Sequence, residues 1–334
     1  MDAEGWKTDP GSRLLARNNG NAAVEGRLTL WGALRVSSRL DFLAIGEAEA
    51  GKADPRRTRW DYDLLEARAR LTRALTFEGG RILMPMGLFG ARRFSNINPV
   101  IGAPDMYPAE YPWGAKLSGT AGALDWRAAM ISLPVVNVRY TPAPSGQLRP
   151  LLGAGINLGP SLHIGASVTH GSYLNRSSPN LPSGTTWDSY KQTIASGDMR
   201  FSVGYVDSRA EVAWTSYNAP AASAPLHGLG AYAESKVTLT PRIFIAVRLE
   251  HFKYAFIGPF SPVSPYWVSG LTTENNGEVG IGYRLSNALL VKTSVRKDHW
   301  PDPATPSFPT PDGYAVALQI SWHAYPLDAL ARVY

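Results

Sequence analysis

Two groups of residues in this sequence have types and spacings that could support acid–base chemistry. Asp298 and His299 are adjacent, as expected of a carboxylate that orients an imidazole, while His163, Ser167 and His170 lie close together in one segment. Successive side chains of a β-strand point to opposite faces, so His163 and Ser167 would share a face that His170 does not. Because that segment offers no carboxylate partner, we interpret these histidines as rim residues and expect no enzymatic activity.

Other familiar chemistry is missing from the sequence. The 334 residues include no cysteine, which excludes disulfides and thiolate metal sites. No GxGxxG, Walker or HExxH pattern is present, so no cofactor or metal is expected. The formal net charge of +6 could attract anions. However, arginines alternate with glutamates rather than forming one patch, which argues against nucleic-acid binding.

The charged residues follow a regular spacing. In residues 65–72, Glu66, Arg68 and Arg70 occupy every second position, and aliphatic or small residues stand between them. A period of two is typical of a β-strand, whose side chains alternate between two faces. The charged side chains are therefore expected on one face of strands whose other face is apolar.

The segment 313–325 shows what environment such strands would meet. Its apolar face carries, in order, Tyr314, Val316, Leu318, Ile320 and Trp322. The intervening positions hold small and polar residues. The run from the first aromatic to the last would extend roughly 26 Å at about 3.3 Å per residue. A barrel strand that crosses a bilayer is tilted by about 40°, spans an apolar band about 25 Å tall and carries aromatic residues at both interfaces.

The same alternation recurs along the chain. It is found in residues 24–34, 65–72, 124–130, 198–205, 209–214, 243–250, 278–285 and 289–298. The alternative is a soluble sheet of half-buried antiparallel strands. Two features count against it: no segment supplies an amphipathic helix to cover a sheet, and the apolar faces carry aromatics near their ends. We therefore predict that Val247, Leu249 and Ile281 face lipid, together with the five apolar residues of segment 313–325.

The connections between these segments alternate between short and long. This rhythm is typical of outer-membrane barrels, which have tight periplasmic turns and long outer loops. No run of 18 apolar residues is present, so a transmembrane helix is not expected. The sequence therefore predicts an all-β fold, a transmembrane antiparallel β-barrel of about 16 strands, with 14–18 as the range.

The division of the chain follows from the strand count. About fifteen strands can be recognised, and an even barrel needs one more, which we place near residues 11–17 within an N-terminal segment 1–20. The segment MDAEGWKTDP lacks the basic region and apolar core of a signal peptide. We expect the barrel to occupy residues 21–325, with a long loop at 88–112 and a C-terminal tail at 326–334.

If the apolar faces contact lipid, the charged faces line the lumen, which is wide enough for water at sixteen strands. A dry core could not hold so many charges, because a desolvated charge costs several kcal/mol unless it is well paired. The predicted pore-lining residues are Arg68, Arg70, Arg127, Arg200, Arg248, Arg284, Lys292, Arg296, Glu66, Glu211 and Glu250. Arginines outnumber acids in the segments read as strands, which favours a mild anion preference; alternatively, every basic residue is neutralised by a neighbour.

The loop 88–112 is long enough to be either functional or disordered, and its aromatic residues and prolines favour order. A long ordered loop can fold into the lumen and narrow it. Arg92 and Arg93 would then be candidates for a constriction. The alternative is a cap on the outer rim that leaves both arginines in solvent.

The stretch EGGRILMPMGLFGARRFSNINPVIGAP resembles a segment of phosphate-selective-type and related outer-membrane porins, in which a strand of the form GxxxxPxG opens a long loop. The matching residues are Gly80, Pro85 and Gly87. This resemblance implies a general or anion-selective diffusion porin, commonly a homotrimer. The sequence departs from the usual porin ending because Pro326 separates the aromatic Tyr334 from the strand in 313–325.

Together these observations predict a porin in a bacterial, Gram-negative outer membrane that allows passive ion and solute diffusion. Its expected partners are the lipid bilayer, lipopolysaccharide and small anionic or neutral solutes. The alternative function is a barrel that acts as a sheath or scaffold for a periplasmic or surface protein, in an electron conduit, in export or in surface assembly.

Overall fold

The computed structural model describes residues 1–8, 22–51, 59–92, 94–104, 111–132, 147–174, 181–220, 222–258, 268–299 and 313–323. These residues form sixteen antiparallel strands that close into one barrel. The strands are β1 Asp2–Thr8, β2 Ala23–Arg35, β3 Leu40–Gly51, β4 Arg59–Arg70, β5 Leu75–Arg81, β6 Trp113–Ala121, β7 Leu124–Ile131, β8 Arg149–Leu158, β9 Leu162–Ser172, β10 Lys191–Val203, β11 Val206–Tyr217, β12 Leu226–Thr238, β13 Ile243–Gly258, β14 Val268–Arg284, β15 Leu289–His299 and β16 Gly313–Trp322.

The predicted fold class and the count of 16 strands are confirmed. The position of the first strand was wrong: β1 is Asp2–Thr8, and the segment 11–17 lies outside the described residues, as does the tail 326–334. β1 closes the barrel by pairing with β16, from Asp2 opposite Ser321 to Thr8 opposite Ala315. The barrel therefore begins at Asp2 rather than near residue 21.

Side-chain alternation separates the two faces of the wall. On β16, burial alternates at every residue, so that Ala315, Ala317 and Gln319 are buried inside while the residues between them are exposed outside. The predicted lipid-facing residues are all on the outer surface, with exposed fractions from 40% at Val247 to 62% at Leu249. This set comprises Val247, Leu249, Ile281, Tyr314, Val316, Leu318, Ile320 and Trp322.

The two ends of the barrel differ in their connections, as predicted. At the short-turn end, strands are joined across residues 36–39, 71–74, 122–123, 159–161, 204–205, 239–242 and 285–288. At the long-loop end, the connections include 82–112, 132–148 and 173–190. Gly204 begins one of the tight turns with a φ of 56°, a left-handed conformation that glycine adopts without steric cost. The start of β1 and the end of β16 meet at the short-turn end, where the Met1 amino group donates to the Trp322 carbonyl oxygen at 2.9 Å.

β5 leads into the longest connection of the barrel, residues 82–112. Gly80 has a φ of 122°, and a Cβ at this position would lie 2.2 Å from the carbonyl oxygen of Leu65 on β4. Only glycine fits there, so the first residue of the GxxxxPxG motif has a steric role. Among the described residues, no helix is long and apolar enough to cross a membrane.

Candidate functional site

The connection between β5 and β6 folds into the barrel. Its first part places Ile82, Met84, Met86 and Phe89 inside the lumen, all buried. They pack into one apolar cluster with wall residues of β7 to β13, including Ile131, Leu151, Ile194, Tyr217, Tyr232 and Phe252. Apolar loop residues, which predict an ordered loop, therefore also hold the loop inside the barrel.

Three further loop residues contact other parts of the wall across the lumen. Ile101 packs with Trp6, Ala315 and Ala317, which belong to β1 and β16. On the other side, Phe94 lies 4.5 Å from Trp31 of β2, measured between ring centroids. Tyr111 is buried with Leu43, Ile45 and Leu64 of β3 and β4. The loop thus contacts the wall on three sides.

A buried arginine on β13 anchors the middle of the loop. Arg248 donates to the carbonyl oxygen of Gly102 at 2.6 Å and to Oδ1 of Asn98 at 2.6 Å. The same guanidinium is paired with Glu234 of β12. Glu234 in turn binds the loop residue Arg92, with 2.7 Å between Oε1 and Nη2. One wall carboxylate therefore joins a wall arginine and a loop arginine.

Two more wall residues bind loop backbone groups that have no strand partner. Glu278 of β14 accepts from the amide nitrogens of Ile101 and Gly102, both at 3.0 Å. Lys292 of β15 donates to the carbonyl oxygens of Asn98 at 2.8 Å and Val100 at 3.0 Å. Buried backbone polar groups need such partners, because an unpaired one costs as much as a lost hydrogen bond.

These contacts change the expected role of the constriction candidates. Of the two arrangements considered for the loop, the described residues adopt the inward one. Arg92 is buried and bound to Glu234, so it anchors the loop rather than presenting its charge to water. Arg93 lies outside the described residues.

The remaining predicted pore-lining residues all lie on inward faces, but in different surroundings. Arg248, Lys292, Arg296 and Glu250 lie on β13 and β15, where the loop or neighbouring wall residues cover them. Glu211 is also buried and accepts a hydrogen bond from the hydroxyl of Tyr232. The other basic residues are at least partly exposed, namely Arg68, Arg70, Arg127, Arg200 and Arg284. The remaining residue, Glu66, is buried and pairs with Arg68.

The wall from β4 to β7 has fewer loop contacts than β12 to β15, although Arg127 of β7 donates to the carbonyl oxygen of Pro85 at 2.7 Å. Three of its ion pairs share one feature. The side chain of Arg68 is 15% exposed, whereas that of its partner Glu66 is 1% exposed. Lys116 is 16% exposed and its partner Glu78 is 8% exposed. Arg127 of β7 is likewise more exposed than Asp198, from which it is separated by 3.8 Å. In each of these three pairs the side chain of the cation is more exposed than that of the carboxylate. The pair of Arg81 on β5 and Asp61 on β4 is the exception, with side-chain exposures of 26% and 34%.

The predicted surplus of positive charge on the inward faces was wrong. Several acids that belong to strands beyond the segments first recognised also point inward. They include Asp2, Glu4, Asp41, Glu47, Glu49, Glu78, Asp207, Glu234 and Glu274. Among the described strand residues, the inward cations therefore do not outnumber the inward acids. Any preference between ions must depend on which charges reach the water.

The structure also shows which histidines lie near carboxylates. Asp298 is buried on the inner face while His299 is exposed on the outer face, so the two side chains cannot act as a pair. His163 faces the lumen and lies 3.5 Å from carboxylate oxygens of both Asp125 and Asp198. Sequence reasoning missed these partners because they belong to β7 and β10, and only the strand register brings them together.

His170, as predicted, points to the face opposite His163, where its Nδ1 lies 2.8 Å from the hydroxyl of Thr193. Among the described residues, no group of three or more His, Cys, Asp or Glu side chains is arranged to hold a metal ion.

Comparisons with known proteins agree with this architecture. No family model matches the chain, and no curated protein matches it in sequence. Among solved structures, OmpT, an outer membrane protein of Vibrio cholerae, is 9% identical, with 96% of this chain and 94% of that chain covered and a TM-score of 0.61. OmpF of Salmonella typhi, in a complex with daunomycin, is 8% identical, with 96% of both chains covered and a TM-score of 0.62.

An anion-selective porin from Comamonas acidovorans is 9% identical, with 96% of this chain and 97% of that chain covered and a TM-score of 0.58. These likenesses extend over nearly the whole chain, and at such low identity they establish the fold alone. The chain therefore has the closed transmembrane barrel architecture that is found in bacterial outer-membrane porins.

Proposed function

We propose that this protein is an outer-membrane porin that allows passive diffusion of small hydrophilic solutes and mildly favours anions. In this proposal the short turns face the periplasm and the long loops face the outside, as in other bacterial barrels of this type. Solutes move down their own gradients, so the protein needs no cofactor or energy source and catalyses no reaction.

The observation that carries the anion preference is the depth of two ion pairs on β4 to β6, those of Arg68 and Lys116. Arg68 and Lys116 present their charges to the lumen, whereas Glu66 and Glu78 are buried behind them. Solvent-side charges in a lumen with low-dielectric walls set the local potential and raise the concentration of the opposite ion. A passing anion would meet guanidinium and ammonium groups first, although the described wall residues carry no surplus of positive charge.

Two likenesses support this proposal. One of the structurally similar proteins is described as an anion-selective porin. The segment with Gly80, Pro85 and Gly87 resembles phosphate-selective-type and related porins. We propose membership of that wider porin group, with a homotrimer as the expected assembly, which the mass of the detergent-solubilised protein would test.

The test is conductance across a planar bilayer, with the reversal potential measured under a salt gradient. We expect the wild-type protein to conduct and to favour anions. The double variant Arg68→Gln/Lys116→Gln removes these two partly exposed cations and leaves Glu66 and Glu78, so its reversal potential should move toward cation preference. The matched control Lys7→Gln/Lys297→Gln removes the same charge from the outer surface and should leave the potential unchanged. Conductance with an unchanged potential in the first variant would contradict the depth argument.

A second candidate function follows from the three-sided contact of the loop. Because the loop fills much of the lumen along β8 to β16, the barrel could serve as a plugged scaffold or sheath for a periplasmic or surface protein. Complete absence of conductance from correctly folded protein would favour this alternative over the porin.

A further inference from the structure

Three cations line the inner wall between the loop and the short-turn end of the barrel. Arg209 on β11, Lys236 on β12 and Arg284 on β14 face the lumen, and each is half-buried. The strand register sets Arg209 opposite Glu234 and Lys236 opposite Asp207. The three cations can therefore be reached from the water of the lumen.

The loop adds a fourth cation to these three. The side chain of Arg92 is only 8% exposed, and its Nη2 binds Glu234. Among the described residues, its Nε and Nη1 have no hydrogen-bond partner. A buried polar group that lacks a partner keeps the full cost of its desolvation, so these two nitrogens favour an acceptor. We call Arg92, Arg209, Lys236 and Arg284 the lower cation group.

The members of the lower cation group lie close enough to repel one another. Lys236 is repelled by the other three cations and attracted by Asp207. Asp207 accepts from Nε and Nη2 of Arg209 at 3.2 and 3.3 Å. Glu234 is shared between the group and the buried Arg248. Four cations thus share these two carboxylates, and one of the carboxylates also balances a fifth cation.

The wall between Lys236 and Arg284 is apolar. Phe244 of β13 is buried there, and Nζ of Lys236 lies 5.9 Å from its ring centroid. The ring reaches across to Gly282 of β14, where a Cβ would clash with it. An aromatic ring and a glycine, rather than an acid, therefore form the inner surface between the two cations.

We propose that the lower cation group binds a small dianion whose charges are carried by oxygen atoms, and that this anion joins the loop to the wall. Guanidinium and ammonium groups form strong, charge-assisted hydrogen bonds to such oxygens, and arginine can bind them through two nitrogens at once. The anion accepts from Arg92 on the loop and from the cations of the wall. It thereby reduces their mutual repulsion and holds the loop in its inward position.

This inference goes beyond the proposed function. It assigns a resident ligand to the side of the loop that lies against β11 to β14, away from Arg68 and Lys116. It rests on the inward position of the loop and not on conduction through the lumen. The ligand chemistry fits both a compact inorganic dianion and a dicarboxylate, in which the two charges are separated.

The test is isothermal titration calorimetry of the intact protein in detergent, at neutral pH and low ionic strength. The probes are sulfate, succinate and acetate. We expect sulfate or succinate to bind at least tenfold more tightly than acetate, and the tighter of the two identifies a compact or a separated pair of charges. Acetate that binds as tightly as both dianions would overturn the proposal. So would the absence of binding by both dianions at millimolar concentration.

The variants locate the site. Lys236→Gln/Arg284→Gln should weaken binding of the preferred dianion at least tenfold, whereas Lys236→Arg/Arg284→Lys keeps both charges and should retain it. The control Arg39→Gln/Arg73→Gln removes the same charge from two exposed turn residues at the same end of the barrel and should bind like wild type. Equal weakening by the two Gln pairs would indicate a general attraction to this end and would overturn the proposal.

The link to the loop is tested with single cysteines. Val100 is a loop residue that is 1% exposed, and Val100→Cys can react with a neutral thiol reagent only when the loop moves. The preferred dianion at saturation should slow this reaction at least threefold and leave Ser118→Cys on β6 unchanged. An unchanged rate at position 100 would contradict the bridging role of the anion. Because binding is measured without a bilayer, its failure and a failure to conduct remain separate results.

Discussion

Similar charged residues differ in burial and in binding partners between the two halves of the inner wall. On β12 to β15, Arg248, Glu278 and Lys292 are buried and bind the loop. On β4 and β6, Arg68 and Lys116 are partly exposed and pair with the wall acids Glu66 and Glu78. Alternation alone makes all of these residues inward-facing. Whether a charge anchors the loop or faces water depends on where the loop lies.

The largest effect should come from removing an anchor in the covered half. Arg248→Ala would leave Glu234 buried with a charge that Arg92 alone must balance. It would also remove the hydrogen bonds from Arg248 to the carbonyl oxygen of Gly102 and to Oδ1 of Asn98. Breaking a buried pair in this way costs about 3–5 kcal/mol. The free energy of unfolding in urea, measured in lipid vesicles, should fall by that amount.

The control for this variant is Arg284→Ala. Arg284 also faces inward but forms no ion pair among the described residues, and its removal should cost less than about 1 kcal/mol. Equal losses of unfolding free energy in the two variants would show that binding the loop gives Arg248 no additional stabilising effect.

A charge placed on the outer face should have the next largest effect. Leu318 is exposed on β16 near the middle of the apolar band, and Leu318→Arg should cost about 2–4 kcal/mol near the bilayer midplane. The comparison variant is Thr29→Arg on β2, where the side chain points to the open lumen beside Glu47. Unfolding in vesicles should be nearly unchanged for it. Similar damage from both variants would mean that the assignment of inner and outer faces is wrong.

A smaller effect is expected where the loop backbone meets its anchors. A Cβ at Gly102 would lie 2.5 Å from Oε2 of Glu278 and 3.0 Å from Nη1 of Arg296. Gly102→Ala should therefore displace the loop at a cost of about 1–3 kcal/mol, as is typical of overpacking.

Gly90→Ala provides the control within the same loop. Its Cβ would meet only Leu83 Cδ1 at 3.4 Å, so its stability should stay close to that of the wild type. If Gly102→Ala were also neutral, the loop would not be held as tightly against β14 as the contacts indicate.

The fold was largely predictable from the sequence because two signals repeat along the whole chain. Alternation set the facing of residues such as Val316 and Leu318, and the rhythm of short and long connections indicated the strand number. The strand Asp2–Thr8 was missed because it is short and contains glycine and charged residues, so its alternation is weak. Its identity depends on pairing with β16, which is more than 300 residues away.

The site was less predictable because its contacts are long-range. The hydrogen bonds from Arg248 and Lys292 to the loop join residues that are 146 to 194 positions apart. Aromatic content indicated that the loop was ordered, but nothing in the local pattern showed that Arg92 would meet Glu234. Likewise, the sequence predicts that Arg68 and Glu66 share a face, whereas their different depths follow from packing.

The most direct test of the central claim uses the absence of native cysteine. Ser118 on β6 is half-buried and faces the open part of the lumen, whereas Ser294 on β15 is 2% exposed and lies in the covered half. The variants Ser118→Cys and Ser294→Cys make the same small change in the two regions. A charged, water-soluble thiol reagent applied to the protein in vesicles should modify Cys at 118 at least tenfold faster and reduce the conductance. Equal rates at both positions, or faster modification at 294, would contradict a lumen that the loop covers on one side and leaves open on the other.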